Sequence, residues 1–494
     1  MLVKEILTKL DLGSSVAEHD EALKQYFVET ETFRSLINDK VDVVAGDKGT
    51  GKSALYKILR ERKSQIPELV DVEIISAFNP TGTPVFQRLS EGDILSEEEY
   101  IKVWKAYFLA LAGNWILEFA DGDYTKDMER LNRILTQADL RTGDDSARGV
   151  FSKIMTRVLQ ALRVKTVEGT GKVPLFELSG KLEFALESAS SNGLGFDHDE
   201  ALRLLERVLT DMNVKVWLAL DRLDEAFQGR PTLEKPVLRA LLRAYLDMQE
   251  YSTIRLKLFI RRDLFGRIIS GGFVNLTHVN ARKVEIVWDI ADLFSLLYKR
   301  LIQNVSFVKS IGMQGQSPQA LFGAIFPEKV VAGSKRPTTW IWMTTRIEDA
   351  NQIRPPRNLI DLILKSREAQ LRQEDRSPRE YVKGMPLITA EAIKGGYEKL
   401  SDERVEDTLL AESGEYAEVI ELFRNGKAEH NLESLTEIIK DDVTAKSEYL
   451  RSIGFLGKLG SNYKIPMLYR RGLSITQGKA FTVASSPRDV DEDD

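Results

Sequence analysis

A chain of 494 residues, 43% hydrophobic and 29% charged, has the composition of a folded protein and the length of about two to four domains. It holds no cysteine and only four scattered histidines, His19, His198, His278 and His430, which excludes disulfides and cysteine-based zinc sites and leaves no histidine cluster. Its formal net charge of -6 is small for the length, so a nucleic-acid partner would have to be met by a local basic patch.

Residues 1–12 set Lys4, Glu5, Lys9 and Asp11 among apolar positions, the pattern of an amphipathic helix and not of a signal peptide. No stretch approaches the roughly 20 apolar residues of a membrane span. A cytoplasmic protein with no membrane partner is expected. Helical apolar spacing continues at 21–28 and 32–37. The run Val-Asp-Val-Val-Ala at 41–45 reads as a short strand, 46–51 as a glycine-rich turn and 52–63 as a helix. A second strand is expected at 70–76, a loop at 79–84, and a long helix at 96–120 carrying Tyr100, Trp104 and Tyr107. From about 121 to 197 the pattern loosens. This stretch reads as an insertion between core strands, with a strand or hairpin arm at 173–178.

A helix at 199–212 leads into the apolar run at 214–220, a strand of the buried parallel-sheet kind. A helix at 232–250 and a strand at 254–260 follow. The alternation implies a parallel α/β sheet. Past Trp288 the strand signal fades. Helices are expected at 290–305 and 354–370, a charged, proline-punctuated linker at 371–386, and mostly helix from there to Gly454.

The turn after the first strand is Gly46, Asp47, Lys48, Gly49, Thr50, Gly51, Lys52 and Ser53, followed by Ala54. It matches G-x-x-x-x-G-K-[ST] at every position. Glycines there let main-chain amides curl around a β-phosphate, and the helix starting near Lys52 adds its positive end. Lys52 would reach the β- and γ-phosphates, and the Ser53 hydroxyl would coordinate Mg²⁺. The bland alternative is a glycine-rich turn that happens to carry a lysine; the apolar strand before it and the helix after weigh against that. No N-K-x-D stretch follows to read guanine, so ATP is the expected nucleotide.

The 214–220 strand ends in Asp221, with Asp224 and Glu225 close behind. A carboxylate at the carboxyl edge of such a sheet lies where it can hold Mg²⁺ through water. Glu225 or Asp224 would then act as general base on the attacking water. The alternative is an ordinary helix start, where acidic residues are favoured. The expected reaction is hydrolysis of ATP to ADP and phosphate.

The D-x-x-D-E pattern at 221–225 resembles the NACHT, KAP and wider STAND-type P-loop ATPases, above all bacterial STAND/KAP-like ATPases often encoded near phage-defence genes. The resemblance runs through Ala17 and Glu18, Tyr26 to Val28, the phosphate loop, 220–227, 258–263, Trp288 and Asp289, and 354–360. Arg222 departs from it, since the NACHT version carries a small residue there. The resemblance implies that Arg262 or Arg261, ending the 254–260 strand, senses the γ-phosphate. Such guanidinium groups can instead pair with Asp263, Asp221 or Asp224. The Arg-Pro-Pro-Arg run at 354–357 resembles the lid of AAA+ and origin-recognition-like ATPases. By that likeness Arg357 closes over the γ-phosphate or serves a neighbouring subunit as an arginine finger. The alternative is a capped surface helix. Trp340 and Trp342 are expected in the lid core.

Residues 449–469 read as helix, turn, strand, glycine-rich wing and returning strand, resembling the end of a winged-helix domain. Lys446, Arg451, Lys458, Lys464, Arg470, Arg471 and Lys479 face only Glu448 between 443 and 481, after an acidic 401–442. That is either a footprint for a nucleic-acid backbone or a structural or autoinhibitory winged helix.

The expected fold class is therefore α/β: a P-loop NTPase parallel sheet with a helical lid and a C-terminal winged-helix domain. Its divisions are a core at 1–288 with an insertion about 121–197, a lid at 289–380, a winged helix at 381–485 and an acidic tail at 486–494. The expected function is an ATPase acting as a conformational switch or assembly ATPase, as a homo-oligomer or on a separate effector protein, in phage defence. The alternatives are an origin-recognition-like ATPase using its winged helix on duplex DNA, and a nucleotide-binding scaffold that does not hydrolyse.

Overall fold

A computed structural model describes residues 1–78, 95–138, 140–141, 154, 198–223, 225 and 231–477. The loop expected at 79–84, the strand or hairpin arm at 173–178 and the acidic tail lie outside those residues. Two units emerge: Glu31–Gly46 with Leu55–Ile286, and Met1–Thr30 with Asp47–Ala54 and Val287–Asp494.

The first unit is built on five parallel strands, β1 (Val43–Gly46), β2 (Val72–Phe78), β3 (Lys215–Leu220), β4 (Ile254–Arg261) and β5 (Lys283–Glu285), in the order β2-β3-β4-β1-β5. Every residue of β3 after Lys215 is buried, as a strand with helices over both faces requires. β5 has no sequence signature, because three residues, two of them charged, are too few to show a period.

The helix Glu97–Phe119 starts from a capping box in which the Ser96 hydroxyl accepts from Glu99 N at 3.3 Å and the Glu99 carboxylate accepts from Ser96 N at 2.8 Å. It buries Tyr100, Trp104 and Tyr107, and Trp104 Nε1 donates to Val237 O at 3.1 Å on the helix Pro231–Met248. Within the region expected to be a loose insertion, Lys126–Gln137 is a regular helix. Met128, Leu131 and Leu135 form one apolar stripe among charged neighbours, and all three are buried. Gly113 permits the close approach, since a Cβ there would lie 2.8 Å from Leu135 Cδ1.

At the amino-terminal edge of the sheet lies a charge cluster with a buried centre. Lys257, inside β4, is 0% exposed, and Asp42, just before β1, is 1% exposed. Lys257 Nζ donates to Asp42 Oδ1 at 2.8 Å and to Val41 O at 2.9 Å, pairs with Asp39, and lies 4.1 Å from the Trp217 ring centroid. Asp42 also pairs with Arg282 and accepts from the Tyr245 hydroxyl at 3.1 Å. Buried charges persist only when paired and hydrogen-bonded, and here each group is. Burial pushes the Asp42 carboxyl up, but the hydrogen bond from Arg282 and the charge of Lys257 outweigh it and hold it below its ordinary value.

In the second unit the helices Ile290–Gln303, Pro318–Ile325, Thr339–Arg346, Pro356–Arg376 and Ala390–Glu403 share one buried cluster with the N-terminal helix Val3–Leu7 and with the winged-helix elements. Trp342 is buried in this cluster and Trp340 packs on it, which is the lid-core role expected of them. The winged helix consists of β6 (Glu429–His430), the helices Leu432–Ile439 and Val443–Ser452, and the hairpin β7 (Gly457–Leu459) and β8 (Asn462–Lys464), with antiparallel order β6-β8-β7.

The linker expected from residue 371 is helix as far as Arg376. Composition misleads there because Glu374, 1% exposed, accepts from Arg379 N at 2.8 Å and Arg379 Nε at 2.7 Å. Of residues 1–12 only Val3–Leu7 is helical. Val3 N donates to Arg379 O and Tyr381 N to Met1 O, both at 2.9 Å, and buried Arg300 holds Asp20 at 2.9 Å. Residues 1–30 thus cluster with the C-terminal half, where a division along the chain puts them with the sheet. No helix among the described residues is long and apolar enough to cross a membrane. The fold is the one expected, a P-loop NTPase sheet with a helical lid and a winged helix.

Asp42→Ala is expected to destabilise the protein by about 3 kcal/mol, read by urea denaturation, because it strips buried cations of a partner. The carboxyl titrates lower folded than unfolded. Its contribution is therefore complete above the ordinary carboxylate range and is lost as pH falls through the folded value. Below about pH 4 the stability of Asp42→Asn should fall less steeply with pH than that of the wild type.

Candidate functional site

β1 ends at Gly46, in register with Arg261 at the end of β4. The chain then turns through Asp47–Gly51 into the helix Lys52–Glu61, so Lys52 and Ser53 are that helix's first two residues, with Ala54 third. Gly49 (φ +77) and Gly51 (φ +104) adopt conformations that side chains disfavour. The loop is closed on itself. Thr50 Oγ1 donates to Asp47 O at 2.7 Å, and Lys52 Nζ donates to the same oxygen at 3.0 Å.

Three contacts from its own unit hold this loop. Trp288 Nε1 donates to Thr50 O at 2.8 Å. Lys48 pairs with Glu412. The third is the start of the lid helix, where a Cβ on Gly49 would lie 3.0 Å from Arg357 Cβ and 3.3 Å from Pro355 Cβ. Gly49 occupies an unspecified position of the motif, yet the approach of Arg357 leaves room for nothing larger.

Pro356 opens that helix, its fixed φ suited to a first turn. Arg354 pairs with Glu348 at 2.6 Å. Arg357 Nε is buried with no hydrogen-bond partner among the described residues. Arg404, 8% exposed in the π-helix Arg404–Leu410, donates through Nε to Asn358 Oδ1 at 2.8 Å and pairs with Asp361. Burial lowers its guanidinium from the ordinary value; Asp361 opposes the shift and the charge of Arg357 adds to it. Two guanidinium groups, one with an orphaned donor, thus make the lid helix's start a fitting place for an anion.

In the sheet unit, Asp221 follows β3 and is 3% exposed. Arg222 has φ +57, a left-handed conformation worth roughly 1–2 kcal/mol of strain in a residue with a side chain. Only glycine, which lacks a Cβ, would relieve it. Arg222 Nε stands 3.7 Å from Glu225 Oε1, and the Glu225 side chain is 47% exposed. Asp224 lies outside the described residues.

Arg261 takes the paired alternative. It forks onto Asp263, Nε to Oδ1 at 3.0 Å and one terminal nitrogen to Oδ2 at 3.1 Å. Arg267 also holds Asp263, at 3.1 Å, and bridges to Glu234 at 3.0 Å. Burial would raise the Asp263 carboxyl, but Arg261 and then Arg267 hold it below its ordinary value. Arg262 opens the helix Arg262–Ile269 directly after β4. No group of three or more histidine, aspartate or glutamate side chains among the described residues forms a metal cage.

Gly49→Ala should lower stability more than Gly460→Ala, by urea midpoint. Both glycines have positive φ, but nothing lies within 4 Å of a Cβ on Gly460. The strain, roughly 1–2 kcal/mol, is common to both, so the difference isolates the contact with Pro355 and Arg357.

No protein-family model matches the chain, and no curated protein is significantly similar to it. Among solved structures it is similar to Cdc6p from Pyrobaculum aerophilum, at 11% identity over 92% of this chain and 98% of that chain, with a TM-score of 0.31. It is also similar to the Aeropyrum pernix ORC1 protein in complex with DNA, at 14% identity over 73% of this chain and 96% of that chain, with a TM-score of 0.25. Likeness at this level leaves the functional argument to the chain's own residues.

Proposed function

We propose that this protein binds ATP at its phosphate loop, Gly46 to Ala54, and hydrolyses it to ADP and phosphate as a conformational switch or assembly ATPase. The observation that carries the reading is the loop itself: a complete motif, two positive-φ glycines, and Lys52 opening a helix, with Arg357 packed on Gly49 and its Nε unpartnered. Main-chain amides and the helix's positive end bind the phosphates, and Lys52 neutralises their charge. By their motif positions Ser53 and Asp221 are the residues that would hold Mg²⁺, which supplies charge neutralisation of the phosphates. Glu225 is the proposed general base, with Asp224 as the alternative. Arg262 or Arg261, at the end of β4, is the proposed contact to the γ-phosphate. Arg357 is the proposed lid arginine or finger.

The switch reading draws on contacts within one unit. Lys48 and Gly49 of the loop touch Glu412 and Arg357, and Arg404 ties the Arg357 helix to the π-helix that precedes Glu412. Loop occupancy can therefore bias the winged helix, which would gate a partner effector in the manner of the STAND-like proteins this chain resembles, including those of phage defence.

A second reading, duplex DNA binding, retains exposed Arg451, Lys458 and Arg471. It is weakened because Lys446 pairs with Asp441 at 2.9 Å, Lys464 with Glu429 at 3.6 Å, and buried Arg470 donates to Ile465 O at 2.8 Å. Lys479 lies outside the described residues.

Lys52→Ala should abolish the heat of Mg·ATP binding in calorimetry. Glu225→Gln should keep that binding while turnover falls about 100-fold or more; undiminished turnover would move the base to Asp224 or another group. The ATPase rate measured with and without duplex DNA, at two salt concentrations, separates the readings. DNA stimulation that disappears with salt favours the second reading. Indifference to DNA, with a nucleotide-dependent change in size by light scattering, favours the switch. Binding without turnover leaves a nucleotide-binding scaffold.

A further inference from the structure

We infer that Trp288 is a positioning residue of the phosphate loop, whose indole N–H sets the orientation of the Thr50–Gly51 peptide and so aims the Gly51 amide. This rests on the nucleotide-binding reading above and deepens it. Thr50 is 1% exposed, and its polar groups are bonded: Oγ1 to Asp47 O at 2.7 Å, N to the same oxygen at 3.3 Å, and its carbonyl to Trp288 Nε1 at 2.8 Å. The described chain has no cis peptide bond. In a trans peptide the C=O and the following N–H point in opposite directions. A Thr50 carbonyl held toward the indole therefore sends the Gly51 N–H the other way. Gly51, at φ +104, has the least intrinsic resistance to a flip of that peptide, so an external restraint matters most there. Amides arranged in this way are what gives a glycine-rich loop its affinity for phosphate.

The place of Trp288 in the chain adds a second consequence. It stands two residues after Ile286, at the point where the chain passes from the sheet unit to the other unit. Asp289 follows directly, capping the helix Ile290–Gln303 by accepting from Asp292 N at 2.6 Å. One indole thus links the loop to the start of the first lid helix. A half-buried indole with any convenient acceptor would be the plain structural role. The two roles differ in what the ligand feels.

The test uses the full chain, Mg·ATP calorimetry and thermal unfolding on wild type, Trp288→Phe and Trp288→His. Phenylalanine keeps a ring without a donor, and histidine keeps a ring N–H. Loss of one hydrogen bond predicts Mg·ATP binding about five- to tenfold weaker in Trp288→Phe, with Trp288→His closer to wild type. The tryptophan emission change on Mg·ATP addition should shrink in both. Equal binding by wild type and Trp288→Phe overturns the inference alone, as does equal weakening in the two variants. If Trp288→Phe fails to fold, Trp288→His carries the test: binding within about twofold of wild type together with loss of the emission change supports the inference, and an unchanged emission response overturns it. No heat from the wild type overturns the nucleotide-binding reading itself.

Discussion

Everything proposed for this protein depends on how eight residues, Asp47–Ala54, are held. A phosphate loop works through main-chain amides, which have no side chains of their own to lock them. Their directions must be set by curvature and by neighbours. Here curvature comes from Gly49 and Gly51 and from the three bonds that converge on Asp47 O. The neighbours are an indole on Thr50, a proline and an arginine against Gly49, and a carboxylate on Lys48. All four belong to the unit that also contains the lid and the winged helix. The loop therefore shares its packing with the elements that the proposed switch would have to move.

Two aspartates show how position decides the chemistry of the same side chain. Asp42 stands just before β1 and is saturated by Lys257, Arg282 and Tyr245, so its charge is spent on structure. Asp221 stands at the opposite, carboxyl end of a strand, where open parallel sheets bring their ligands. β4 carries a similar contrast along its own length. Lys257 is a sealed structural cation within it, while Arg261 at its tip is forked onto Asp263. The same strand thus carries a structural charge at its middle and a paired arginine at its tip.

Much of this was legible in the residues themselves, for identifiable reasons. β3 announces itself because a strand covered on both faces is continuously apolar, β1, β2 and β4 as apolar-rich runs broken by single charged residues, and the loop because its motif is contiguous. What stayed hidden involved either brevity or distance along the chain. β5 has three residues. The helix Lys126–Gln137 is mostly charged and polar, and its apolar stripe of Met128, Leu131 and Leu135 meets a partner such as Gly113 only through the fold. The segment after Gln370 reads as a linker until Glu374 is seen to be buried beneath Arg379. Lys48 and Glu412 are 364 positions apart, and no local pattern can bring them together. The left-handed backbone of Arg222 is equally hidden, because nothing in an arginine announces a positive φ.

The two units are also interleaved along the polypeptide. The chain passes from one to the other after Thr30, after Gly46, after Ala54 and after Ile286. Neither unit is therefore a contiguous gene segment. No single truncation can liberate one intact, and recombination at one breakpoint cannot exchange one for a homologous part. A ribosome emits the loop long before the lid residues that grip it, so the grip on Lys48, Gly49 and Thr50 is completed only when synthesis has moved well past residue 400.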